Sequence, residues 1–275
     1  MDKEQISSDQ IRQQVRDEYG GIAEEGGCCC GSDVSADKLA KALGYGEGEL
    51  AAIPDDANMG LSCGNPTALA QLKAGQVVLD LGSGGGFDVF IAAGKVGASG
   101  RAIGVDMTPR MLTKSREAID VFTKKTGLEN VEFRLGEIEH LPVADSSIDV
   151  VISNCVINLS PDKQQVWREV RRVLKPGGKA CVSDLALIDE LPDAVHNSAA
   201  ALVGCIAGAV MLDQTRQMME AAELVSIEID TKQYNMDVMD QCNDPLYKEV
   251  RDGLPEGKKL SDYVVSANIV AHKQK

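Results

Sequence analysis

The tightest constraint in this chain is a short run, DLGSGGGFD (Asp80–Asp88), set between an apolar stretch and a helix-forming one. Glycines at 82, 84 and 86 let the main chain turn sharply and bring its N–H groups close to a ligand. Such a turn belongs between a buried strand and the helix after it, and the flanking sequence agrees. From Gln76 onward, short Val-, Ile- and Leu-rich runs alternate with helical periods. VVLDLG (Val77–Gly82), AIGVDM (Ala102–Met107), VEFRLG (Val131–Gly136), DVVISN (Asp149–Asn154) and KACVSDL (Lys179–Leu185) read as five strands. Helices are expected over about 87–97, 110–126 and 162–174. Beyond a helix-rich region at about 192–224, VSIEID (Val225–Asp230) and YVVSANIVAHK (Tyr263–Lys273) add two closing strands. Alternation of this kind predicts an open, mainly parallel α/β sheet with helices on both faces.

The glycine spacing narrows the ligand. A dinucleotide fingerprint of the G-x-G-x-x-G type would need glycine at 87, where Phe87 stands. The observed G-x-G-x-G resembles motif I of S-adenosylmethionine (SAM) methyltransferases, and seven strands is the count of their Rossmann-like sheet. Asp106 ends the second strand, where a carboxylate accepts hydrogen bonds from both ribose hydroxyls. GEIEHLP (Gly136–Pro142) closes the third and resembles the motif that contacts the adenine ring. Candidate cofactor contacts are therefore Asp80, Gly82, Ser83, Gly84, Gly86, Asp106, Met107, Gly136, Glu137, Ile138 and Asn154. The chain divides into an N-terminal helical and Cys-containing arm (1–70), irregular in outline, a SAM-binding core (71–190), and a helical substrate-binding insert with the closing strands (191–275). In the arm, helical spacing runs over about Ser8–Glu25, with Ile11, Val15 and Ile22 as a weak apolar stripe, and over Ala36–Leu43, before a long loop that leads into a short helix by Ala70. The GLPEGKK stretch (Gly253–Lys259) lacks the spacing and the Ser/Thr of a P-loop.

Charge and composition remove other classes. Asp and Glu number 42 against 28 Lys and Arg, a net charge of −14, which disfavours tracking a phosphate backbone. No apolar run approaches the ~18 residues of a membrane span. The start, MDKEQISSDQ, is too polar for a signal peptide, so a soluble cytoplasmic enzyme is expected. Eight cysteines show no C-x-x-C pair, and three histidines form no H-E-x-x-H, so a zinc ribbon or metalloprotease is unsupported.

The cysteines sit in more distinctive surroundings. DLGSGGGFDVFIAA (Asp80–Ala93), GVDMTPRML (Gly104–Leu112), SNCVINLSPDK (Ser153–Lys163), LSCGNP (Leu61–Pro66) and GCIAGA (Gly204–Ala209) closely resemble arsenite SAM methyltransferases. That resemblance implies SAM as cofactor, arsenite and methylarsenite as substrates, and arsenic(III) bound at Cys63, Cys155 and Cys205. The chemistry agrees, since thiolates suit a soft three-coordinate centre. Arsenic's own lone pair would attack the methyl group in line, so no protein base is needed and the protein's part is positioning. Cys155 falls at the switch point between the first and fourth strands, where ligands of such sheets bind. Cys181 reads as core and Cys242 has no clear role. Cys28, Cys29 and Cys30 read as auxiliary thiols for arsenite capture or for disulfide exchange with Cys63, with thioredoxin or glutathione as reductant. Two other readings stay open at this level. One is a SAM enzyme acting on a small organic or quinone substrate, and the other is a metalloid-binding protein without catalysis.

Overall fold

The structure, a computed structural model, describes residues 7–25, 36–62, 64–196, 205–232 and 245–275. Its centre is a seven-stranded sheet in the order β3-β2-β1-β4-β5-β7-β6. The strands are β1 (Val77–Leu81), β2 (Arg101–Asp106), β3 (Val131–Leu135), β4 (Ile148–Asn154), β5 (Leu174–Leu187), β6 (Leu224–Lys232) and β7 (Val264–Lys273). β1 to β5 run parallel, and β7 is antiparallel to both β5 and β6. All seven expected strands are present, and the expected methyltransferase-like α/β sheet is the observed one.

Strand alternation assigns the two faces. Leu79 and Leu81 of β1 enter one apolar cluster, with Trp167, Val170 and Val173, while Val78 enters another, with Phe90 and Phe122. That is the period-two consequence of the pleat. Helices α5 (Phe87–Val96), α6 (Pro109–Thr126) and α7 (Lys163–Val173) supply the covering layers. Asp162 caps α7 by accepting from the Gln165 N–H at 3.0 Å. Val166, Trp167, Val170 and Val173 then form its buried stripe.

The N-terminal arm holds helices where the pattern suggests them, α1 (Ser8–Glu25), α2 (Ala36–Ala42) and α4 (Pro66–Ala70), and adds α3 (Glu47–Ala52). Ala40, Tyr45, Ile53 and Ala57 lie buried in the same cluster as Phe90 and Phe122, so the arm shares the core. α3, six residues in a stretch punctuated by glycines, carries too few periods to stand out from loop. A third apolar cluster joins Val15 of α1 to Cys155, Cys205, Leu185 and Val264 beyond the end of β4. Among the described residues no helix is long and apolar enough to cross a membrane.

Candidate active site

A cleft opens at the carboxyl ends of β1, β2 and β4, at the switch point of the sheet. The turn after β1 forms its floor. Gly82 and Gly84 both have positive φ, +63° and +50°. A Cβ on Gly82 would come within 2.5 Å of the Val156 side chain, whereas one on Gly84 would meet nothing within 4 Å. Gly82 is thus a packing requirement, and Gly84 leaves its bare main chain facing open space.

Asp106, at the end of β2, accepts from the Gly84 N–H at 2.9 Å and the Thr108 N–H at 2.8 Å. The Thr108 side chain also donates to this carboxylate, which keeps acceptor capacity for a further donor. Burial pushes this carboxyl up from its usual range, and the two N–H groups oppose the shift. Ser83 also borders the cleft, and its buried Oγ has no hydrogen-bond partner among the described residues. Asp80 is driven well above its ordinary value by burial and by its neighbours Asp88 and Asp106. An orphaned hydroxyl, an accepting carboxylate and a bare glycine in one cradle suit a nucleoside bearing polar and cationic groups.

The sequence-derived cofactor candidates divide here. Asp80, Gly82, Ser83, Gly84, Asp106, Met107, Gly136, Ile138 and Asn154 all border the cleft. Gly86 caps the N-terminus of α5. Glu137 is engaged elsewhere, 3.5 Å from Arg12 Nε and 3.7 Å from an Arg16 nitrogen. Asn154 has a second task. Its Oδ1 accepts from the Gly64 N–H at 3.2 Å, while its Nδ2 donates to the Gly64 carbonyl and to Asp88 Oδ2, both at 3.0 Å. Tyr45 adds hydroxyl bonds to Asp88 at 2.7 Å and to the Gly64 carbonyl at 3.1 Å. Burial raises Asp88 to about 6, against the pull of Asn154 and Tyr45. Through this network the Leu61–Pro66 loop is fastened to the end of β4.

Immediately past Asn154 lies Cys155, only 5% exposed, its φ at +55°. Cys205, only 3% exposed, also has a positive φ, +62°. Its Sγ donates to the Cys155 carbonyl at 2.8 Å, across 50 residues of sequence. Left-handed backbone is uncommon for residues with a Cβ, and it concentrates at functional sites. Cys155 borders the cleft and is disulfide-bonded. Cys205 and Cys181 carry thiols. Cys181 lies fully buried within β5, and burial lifts its thiol to about 11, consistent with a core role. Cys63 lies outside the described residues, but its neighbours are placed: Ser62 borders the cleft and Gly64 is bonded to Asn154. Cys28, Cys29, Cys30 and Cys242 also lie outside the described residues.

Sequence reading missed the part played by α1. Arg12, Val15 and Tyr19, spaced to share one helical face, form a wall of the cleft. Only the weak apolar stripe of that helix hinted at it.

The sheet order, the glycine turn and the acidic strand end define a class I SAM-dependent methyltransferase. Residues 72–223 match the family described as a methyltransferase domain. An arsenite methyltransferase of Halobacterium salinarum is 43% identical over 96% of this chain, which spans 67% of that relative. The human arsenite methyltransferase is 41% identical over 48% of the chain and 37% of its own length. The crystal structure of an arsenic(III) SAM methyltransferase from Chlamydomonas reinhardtii aligns with a TM-score of 0.61 at 33% identity, covering 89% of this chain and 75% of that one. The chain belongs to the arsenite methyltransferase family.

Proposed function

We propose that arsenite and methylarsenite are held here by the thiolates of Cys155, Cys205 and Cys63, and methylated at the mouth of the cofactor cleft. One observation carries the reading. Two cysteines distant in sequence both adopt left-handed backbone and meet, sulfur to carbonyl, where the cleft ends. Two structural cysteines in a core would have no reason to sit in strained conformations beside a cofactor site.

Bound SAM supplies an electrophilic methyl group on a positively charged sulfur. Asp106, Ser83 and the Gly84 main chain orient the nucleoside, and the apolar wall of Ile138, Val15 and Val156 excludes water. Cys155 and Cys205 fix the arsenic so that its lone pair lies in line with the methyl carbon. Methyl transfer would form an As–C bond at the expense of the S–C bond, whose electron pair would leave on the thioether sulfur. Arsenic passes from the trivalent to the pentavalent state. A further round therefore needs two electrons, which two cysteine thiolates provide by closing a disulfide. Thioredoxin or glutathione then reopens it by thiol exchange. A disulfide at Cys155 supports this need for reduction before arsenic is captured.

Incubation of the purified protein with arsenite, thiol and labelled SAM, followed by separation of arsenic species, tests the reading. Label in methylated arsenic that disappears in Cys155→Ser is the expected result. Label transferred to a quinone or small organic acceptor by both proteins would overturn it.

A further inference from the structure

The acidic loop after β3 carries two carboxylates, and both are directed at one cation on α1. Glu139 Oε1 lies 3.3 Å from Arg12 Nη2, and Glu137 Oε2 lies 3.5 Å from Arg12 Nε. The Arg12–Glu139 contact is sheltered, with side chains 14% and 4% exposed. Glu139 reaches a third segment as well. It accepts from the Ser160 hydroxyl at 2.8 Å, and its main-chain carbonyl accepts from Gln165 Nε2 at 3.2 Å. The Ser160 carbonyl in turn accepts from the half-buried Lys163 ammonium at 2.9 Å. One carboxylate thus binds together the cleft wall on α1, the adenine-side loop and the segment leading from Cys155 into α7.

The ion pair from α1 to α6 is of another kind. Arg110 and Glu24 are 3.1 Å apart but mostly exposed, so that pair holds little. A sheltered pair behaves differently, because losing one member strands the other charge away from water.

We propose that Arg12 and Glu139 form a clamp holding α1 across the cofactor cleft, with Glu139 the positioning residue that ties this cover to the Ser160 loop. Neither group reacts. Glu139 sets the cleft's width by fixing Ile138 beside it, and Arg12 converts that fixed charge into closure. The inference concerns cofactor retention alone, so it stands apart from the assignment of arsenic ligands.

Calorimetric binding of S-adenosylhomocysteine to the full chain, with no arsenic present, provides the test. Arg12→Gln and Glu139→Gln are each expected to weaken binding by about tenfold, and the double variant by no more than the worse single one, because coupled partners are not additive. Hydrogen exchange of residues 8–25 reads the second consequence. The ligand should slow exchange of α1 in the parent and fail to do so in the variants. A purely structural role would lower the melting temperature yet leave that protection in place. Should Glu139→Gln fail to fold, Arg12→Gln carries the test alone, since its side chain lies at the cleft mouth. Binding within about twofold of the parent in the foldable variants, additive losses, or persisting protection of α1 would each overturn the clamp.

Discussion

Asn154→Ala separates the cleft's two halves. The amide makes two hydrogen bonds to the Gly64 main chain and one to the Asp88 carboxylate. Ordinary hydrogen bonds contribute about 1 kcal/mol each, and one to a charged group about 1.5–3 kcal/mol. Their sum is an upper figure, because a loosened loop lets water reach the orphaned groups. A loss of about 2–4 kcal/mol follows, equivalent to a fall in melting temperature of roughly 5–10 °C for a chain of this size. Its pH dependence has a definite sign. Asn154 favours the ionised form of Asp88, so its removal raises that carboxyl further above about 6. The charge-linked part of the penalty is complete above both values, shrinks as pH falls below the higher one and is gone below the lower. Denaturant unfolding at pH 8 and pH 5 should show the larger loss at pH 8. Methylation of arsenite should suffer more than homocysteine-product binding, because the released loop is the one flanking Cys63. A loss under about 1 kcal/mol at pH 8, or an equal loss at both pH values, would refute the network as described.

Three other outcomes follow from the same geometry. Cys63→Ser should fail on arsenite but keep part of its activity on methylarsenite, where carbon fills one arsenic position, while Cys155→Ser and Cys205→Ser should fail on both in separated-product assays. Asp106→Ala should weaken SAM binding by about 1–3 kcal/mol in calorimetry and leave arsenite binding intact, since its ligands lie elsewhere. Asp88 and Asp184 sit at about 6 and about 7 through burial, both above their unfolded values. Their contribution to stability is therefore present at low pH and lost as pH rises through those values, so scanning calorimetry should find a lower melting temperature at pH 8 than at pH 5.5.

What the sequence disclosed depended on how local the signal was. The Asp80–Asp88 turn was legible because strand, glycines and helix are contiguous, and β1 to β5 stood out as short apolar runs. Cys155 was placed beside the cleft by the general behaviour of doubly wound sheets, and the structure puts it there. The ion pair between Glu137 and Arg12 was not legible, because Arg12 lies 125 residues upstream and no periodicity links the two. Asn154 borders the cleft as expected, but nothing in its neighbourhood announced its bonds to Gly64. Tertiary hydrogen bonds between loops leave no period in a sequence. The left-handed φ of Cys155 and Cys205 was equally invisible, because cysteine carries no preference for that conformation.

Those two φ angles decide where the sulfurs point. A residue continuing β4 would alternate to one face of the sheet or the other, into packed side chains. The left-handed step at Cys155 ends that alternation where β4 meets the cleft. Aim is therefore written in the main chain, ahead of any choice of rotamer. Copying these cysteines onto the ends of another protein's strands would transfer the donors without their direction. A working graft would have to import both turns, together with the Ser183 carbonyl that receives the Cys155 N–H at 2.8 Å and holds the first of them in place.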